Sequence, residues 1–154
     1  MGERVPSPEV RLCRRIAGTA CQVFEAWTVP ALMRQWLFTS ANSEIVDVSV
    51  DLRVGGSFSI LERPYDSSGD VDHFGEYLEV IPSRRLAFTF QTPAHFPQQT
   101  RIEVAIAPVG SGSSLDFRQT GVDPHLVRHH WVRMFGDLDQ LLQRGRTHSG
   151  NKLR

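Results

Sequence analysis

The sequence predicts an α+β fold in which a curved antiparallel sheet grips one long C-terminal helix. The first observation is Asp51-Leu-Arg-Val-Gly-Gly-Ser-Phe58, where a Gly55-Gly56 turn joins the alternating run Val46, Val48, Val50, Leu52 to Phe58 and Ile60. The second is that four more turn-separated strand patterns follow. The third is the segment after Pro124, where Val127, Trp131, Met134, Leu138 and Leu141 recur at spacings of four, three, four and three. One apolar stripe on a helix facing one apolar sheet face leaves room for a cavity between them.

Each element has its own signal. Val10, Leu12 and Ile16 share one parity in a first strand, which Gly18 ends. Thr19 is placed to cap a short helix whose Val23, Phe24 and Trp27 lie on one face, and Pro30 opens a second segment with Leu32, Met33, Trp36 and Leu37. From Glu44 the period becomes two, giving strands near 44–53 and 57–63, with both glycines at positive φ in a tight hairpin. Pro64 to Asp70 is a polar loop before a strand from Val71 to Val80, and Pro82-Ser83 turns the chain into Leu86, Phe88 and Phe90. A loop over 92–97 separates this from Ile102, Val104 and Ile106, and Gly110-Ser-Gly-Ser leads to Leu115 and Phe117. Asp123 and Pro124 start the last helix, with Leu126, His130, Phe135 and Leu142 flanking its stripe, and Gly145 is expected to stop it.

Composition narrows the function classes. The 154 residues suit one domain, large enough to bury roughly 68–70% of the unfolded surface. A formal net charge of zero gives no overall field for nucleic acid or an anionic membrane, and no 18-residue apolar run provides a membrane span. Without a signal-peptide pattern, a soluble cytoplasmic protein is expected. Cys13 and Cys21 are eight apart, which fits neither a zinc site nor a disulfide framework, so two reduced, partly buried thiols are expected.

The chain resembles the SRPBCC or START-like superfamily, and within it the homologues of the activator of the ninety-kilodalton heat-shock protein ATPase. The resemblance covers roughly residues 10–143. It is carried by Val23-Phe-Glu-Ala-Trp27 before Pro30, by Trp36, by Asp51 to Phe58, by Gly75-Glu-Tyr-Leu-Glu-Val80 with Pro82, by Leu86-Ala-Phe-Thr89 and by the Trp131 to Leu142 helix. It implies a helix-grip (START-like, Bet v-like) fold, with about six or seven strands around the C-terminal helix, two short helices after the first strand and a cavity between helix and sheet. The domain is then expected over 10–144, between a flexible N-terminus (1–9) and a flexible basic tail (145–154). The superfamily holds co-chaperone domains, lipid and hormone carriers and aromatic cyclases, so fold alone leaves function open. Measured against that resemblance, the chain is expected to lack the second domain that the eukaryotic co-chaperone carries, which counts against direct ATPase activation.

The expected function is binding of a hydrophobic or aromatic small molecule without covalent chemistry, cofactor or metal. Phe58, Ile60, Phe74, Phe88, Phe90, Val104 and Phe117 supply the sheet wall on inward parities. Val127, His130, Trp131 and Met134 supply the helix wall, and Trp36 stands near an entrance. Glu76 shares parity with Phe74, Leu78 and Val80, which favours an inward carboxylate, while the opposite parity places His73, Gly75, Tyr77 and Glu79 inside and a β-bulge mixes the two sets. If the protein is an enzyme, Glu76 and His130 are its candidate acid or base. His125 and His129 are four apart on the helix but have only the distant His73 as a third donor, so no metal is expected. A chaperone-interacting module is the alternative, and the uncovered sheet face or an edge strand is compatible with a homodimer.

Overall fold

A computed structural model describes residues 8–152, with side-chain surroundings described to residue 145. The order is β1 (Glu9–Ile16), α1 (Ala20–Thr28), α2 (Pro30–Met33), β2 (Ser43–Val50), β3 (Ser57–Pro64), β4 (Val71–Ile81), β5 (Arg85–Thr92), β6 (Phe96–Val109), β7 (Gly112–Thr120) and α3 (Pro124–Lys152). All neighbours are antiparallel in the single seven-stranded sheet β1-β7-β6-β5-β4-β3-β2. Strands β2 to β7 form a meander, and β1 closes against β7, which leaves β1 and β2 as edges. Among the described residues no helix is long and apolar enough to cross a membrane.

The helix starts are chemically specified. Thr19 and Gln22 form a reciprocal capping box at α1, the Thr19 hydroxyl accepting from the Gln22 N–H and the Gln22 side chain from the Thr19 N–H. At α3 the Asp123 carboxylate accepts from the His125 N–H at 2.9 Å. Helix α3 is tied to the β1–α1 turn because Asp139 accepts from the Ala17 N–H at 2.7 Å and pairs with Arg14. Gly18 (φ +126°) permits that approach, since a Cβ there would press on Leu142. Gly145 does not stop α3, which continues to Lys152. A helical glycine costs only about 1 kcal/mol against alanine, and Gly145 is not among the positive-φ glycines. Of the flexible termini expected from the sequence, 1–7 and 153–154 lie outside the described residues.

An aromatic cluster fills the space between helix and sheet. Trp27 of α1 lies 4.8 Å from Trp36, 6.4 Å from Phe117, 6.1 Å from Trp131 and 6.2 Å from Phe135, measured between ring centroids. Trp36 is fully buried and donates its indole N–H to the Ala26 carbonyl, so it is a core residue and not the entrance residue expected.

Strand β4 corrects the expected parity. Val71, His73, Gly75 and Tyr77 face inward, whereas Glu76 is exposed and Phe74 is half-buried on the outer face. The inward row is polar or empty for specific reasons. Phe58 packs over Gly75, and a Cβ at residue 75 would overlap the Thr89 carbonyl. A register shift between Tyr77 and Glu79 then returns Val80 to the core side, opposite Leu86. Four other expectations change. Leu52 and Leu126 are exposed; only Gly55 of the glycine pair has positive φ (+86°), Gly56 being required by closeness to the Asp51 carbonyl; and Cys13 and Cys21 are both exposed.

Because the overlap at residue 75 is with backbone, Gly75→Ala is expected to lower stability by about 2 kcal/mol or more, read as a lower urea midpoint with an unchanged slope. Glu76→Gln on the exposed face should shift it by less than about 0.5 kcal/mol.

Candidate functional site

The aromatic cluster leaves two voids. The inner one, ≈ 20 Å³, is lined by Trp27, Met33, Leu37, Phe58, Ile60, Tyr77 and Phe88 together with Phe38, Phe90 and Trp131. It has room for about one water molecule. The outer one is a cleft of ≈ 330 Å³ between the first turns of α3, the β5–β6 hairpin and the loop after α2, within the roughly 300–1,000 Å³ of small-molecule sites. Rings of Phe38, Phe90, Phe96 and Trp131 wall the cleft, Val127 and Met134 complete its helix side, and Ser40, Asn42, Thr92, His95, His130 and Arg133 give it a polar lining.

At its base is a hydrogen-bonded pair. His73 is buried, with Nε2 2.8 Å from Glu62 Oε1 and Nδ1 3.0 Å from the Thr92 hydroxyl. Glu62 Oε2 accepts from the Ser43 hydroxyl at 2.7 Å, and Ser43 is bonded to Ser40. Burial holds the His73 pKa below the ordinary imidazole value despite the opposing pull of Glu62, while the hydrogen bond from His73 holds Glu62 below the usual carboxylate range. The pair therefore consists of a neutral imidazole and an ionised carboxylate at pH 7. Nε2 carries the proton and donates to Glu62, and Nδ1 accepts from Thr92. With both ring nitrogens engaged, His73 has no free site with which to deprotonate a substrate.

A second relay holds the opposite wall. The Trp131 indole N–H donates to Gln119 Oε1 at 2.9 Å, Gln119 Nε2 donates to the Thr100 hydroxyl at 3.0 Å, and Thr100 donates to the Phe90 carbonyl at 3.0 Å. Two ring-bearing residues of the cleft are thus fixed through one buried amide. His130 is exposed at the mouth, and burial, followed by the nearby charges of His129 and Arg133, keeps its pKa below the ordinary value. No hydrogen bond joins it to an acid among the described residues.

Phe38 sits in the loop between α2 and β2 with φ +57°, a conformation that costs a bulky residue about 1–3 kcal/mol. Its ring lies flat on His73, 3.9 Å between centroids and 3° between planes, and contacts Phe90 at 5.5 Å and the edge of Trp131 at 5.9 Å.

Of the wall residues read from the sequence, Val127, His130 and Met134 line the cleft, Phe90 and Trp131 border both voids, and Phe58, Ile60 and Phe88 border only the inner one. Val104, Phe117 and Trp36 border neither and are core; Phe74 and Glu76 lie on the other side of the sheet. Phe38, Glu62, Thr92, His95, Phe96 and Gln119 were not anticipated. The one signal available for them was the alternative parity of β4, which puts His73 inside and makes its neighbours matter.

A family model described as Activator of Hsp90 ATPase homolog 1-like protein matches residues 18–143. Among solved structures, a protein from Chromobacterium violaceum is 23% identical, with a TM-score of 0.78 over 87% of this chain and 96% of that one. An AHSA1-like protein from Aeromonas hydrophila is 20% identical, with a TM-score of 0.76 over 89% and 93%. A Mesorhizobium loti protein is 27% identical, with a TM-score of 0.67 over 88% and 97%. A search of curated proteins gives no match.

The titration of the pair has a definite sign. The unfolded chain takes up a proton at His73 near pH 6.5 that the folded chain resists, so stability is fully present above that value and declines as pH falls below it. Glu62, depressed from 4.5, adds a further loss below about that pH. The thermal midpoint is expected to fall from about pH 6.5 downward, and His73→Gln should be less stable at neutral pH yet lose less between pH 6.5 and 5.

Proposed function

Because the chain belongs to the family of Activator of Hsp90 ATPase homolog 1-like proteins, we propose that it binds a small planar aromatic molecule bearing an acidic group, in the cleft beside α3 and without covalent chemistry. The observation that carries this reading is the cleft's division of labour. Four aromatic rings offer stacking surface, while His95, His130 and Arg133 stand at the polar mouth. Arg133 is exposed and has no ion-pair partner among the described residues, which leaves its guanidinium available to a ligand carboxylate. Glu62 keeps its negative charge at the base of the cleft, hydrogen-bonded by His73 and Ser43, which favours an acidic group placed at the mouth beside Arg133 over one at the base. Two candidate bases are withdrawn, which supports binding over turnover: both nitrogens of His73 are engaged, and Glu76 is on the outer face, while His130 has no hydrogen-bonded acid among the described residues to orient it.

Calorimetric titration with 2-naphthoate, and with decanoate as the flexible comparison, tests this reading. Saturable binding of 2-naphthoate is expected, weakened at least about tenfold by Asn42→Phe, which crowds the mouth, and by Arg133→Gln. No saturable heat with 2-naphthoate at about millimolar concentration would overturn it.

The family description motivates a second reading, contact with an Hsp90-type chaperone through a surface outside the cleft. Addition of saturating protein should then raise the ATPase rate of the source organism's chaperone, and the cleft variant Asn42→Phe should raise it equally. Unchanged turnover removes this reading.

A further inference from the structure

We propose that Phe38 is a built-in occupant of the slot meant for an aromatic ring of the ligand, and that its displacement joins the cleft to the inner chamber. This rests on the cleft reading and specifies it: the ligand has two linked rings, an acidic end at the mouth and a second ring that takes the place of Phe38.

Several observations converge on this residue. Phe38, Phe90 and Trp131 are the three side chains that border both voids, and two of them are held in place. Trp131 and Phe90 belong to the Gln119–Thr100 relay, on α3 and on a central strand. Phe38 instead belongs to a loop, at positive φ, and its own N–H is held only by the Met134 thioether at 3.2 Å, a weak acceptor. It is the member of the partition that can move.

The slot it fills already has the geometry of a ligand clamp. One face of the ring covers His73 at 3.9 Å, a second ring lies parallel at 5.5 Å, and a third presents its edge at 5.9 Å. A neutral, hydrogen-bonded imidazole fixed by Glu62 and Thr92 is a rigid platform, whichever ring lies on it. Displacing Phe38 relieves a backbone conformation that phenylalanine rarely adopts, and the incoming ring restores the lost stacking. Beyond the slot, the inner chamber is walled by Trp27, whose indole N–H is buried without a hydrogen-bond partner among the described residues.

The test uses the full chain carrying 4-fluorophenylalanine at position 38, observed by fluorine NMR with benzoate and biphenyl-4-carboxylate as probes. Biphenyl-4-carboxylate is expected to move the position-38 signal to a solvent-exposed shift, whereas benzoate should bind and leave it in place. In parallel, Phe38→Gly, which accepts the positive φ and removes the ring, should bind biphenyl-4-carboxylate at least about tenfold more tightly than the unsubstituted chain, with benzoate changed by less than about threefold. Binding of biphenyl-4-carboxylate with the fluorine signal unmoved overturns the gate and leaves the cleft reading intact. If neither acid binds, the cleft reading fails, and the gate is then read with benzene alone: a moved signal retains it and an unmoved one overturns it.

Discussion

The placement of Trp27 is the constraint on which the rest of the structure depends. A sheet curled around a helix encloses more volume than one helix stripe can fill, and in this chain α1 fills the difference by driving one indole between α3 and the sheet. Packing at interior density then follows from a few large rings: Trp36 beneath it, Phe88 and Phe117 on the sheet side, Trp131 and Phe135 on the helix side. Each aromatic pair contributes about 0.5–1.5 kcal/mol beyond its buried area, and the cluster makes the central part of the grip solid. The residual space is displaced to the end of the sheet where β4, β5 and β6 meet the first turns of α3. The indole N–H of Trp27 is left without a partner among the described residues, at a cost of about 1–3 kcal/mol, so the filling is tight in shape but incomplete in chemistry.

What lies at that end is polar for a physical reason. A buried imidazole is tolerated only with both nitrogens satisfied, and here Glu62 from β3 and Thr92 from β5 flank the ring from the two neighbouring strands. Gln119 plays the same part from β7, meeting an indole on one side and a hydroxyl on the other. These groups hold the aromatic walls in fixed orientations, and fixed walls are what a recognition site requires. The same low-dielectric setting that keeps His73 neutral also makes the pair a point of acid sensitivity.

Much of the architecture was legible from local chemistry. The capping residues Thr19 and Asp123, the Gly18 break and the α3 stripe from Val127 to Leu138 act within one or two turns of chain, and each sits where its residue type demands. Strand β4 was harder to read because its apolar residues are not its inward residues. Phe74 and Leu78 lie on the outer face, and the core side carries a histidine, a glycine vacated for Phe58 and a tyrosine whose hydroxyl burial pushes far above its ordinary pKa. The cleft was harder still. His73 meets Thr92 across β4–β5, where Phe74 lies opposite Gln91, and Glu62 diagonally across β3–β4, where Ile60 lies opposite His73, and a single chain carries no mark of which residues such registers bring together. Phe38, lying in a turn, belongs to no periodic pattern at all.

The loop from 51 to 56 does something for β4 that β3 is too short to do. Gly55 donates its N–H to the Tyr77 carbonyl, and Gly56 accepts from the Tyr77 N–H, so the loop adds one more rung to the ladder at the point where β4 is about to bulge. Loops of ordinary surface character tolerate insertion, because lengthening them costs little closure entropy. This one is a length standard: an added or lost residue would move the rung off Tyr77. Natural length variation in such a chain should therefore be steered to connections such as 65–70, whose glycine meets nothing and whose side chains stand in solvent, and away from the turn that gauges the bulge.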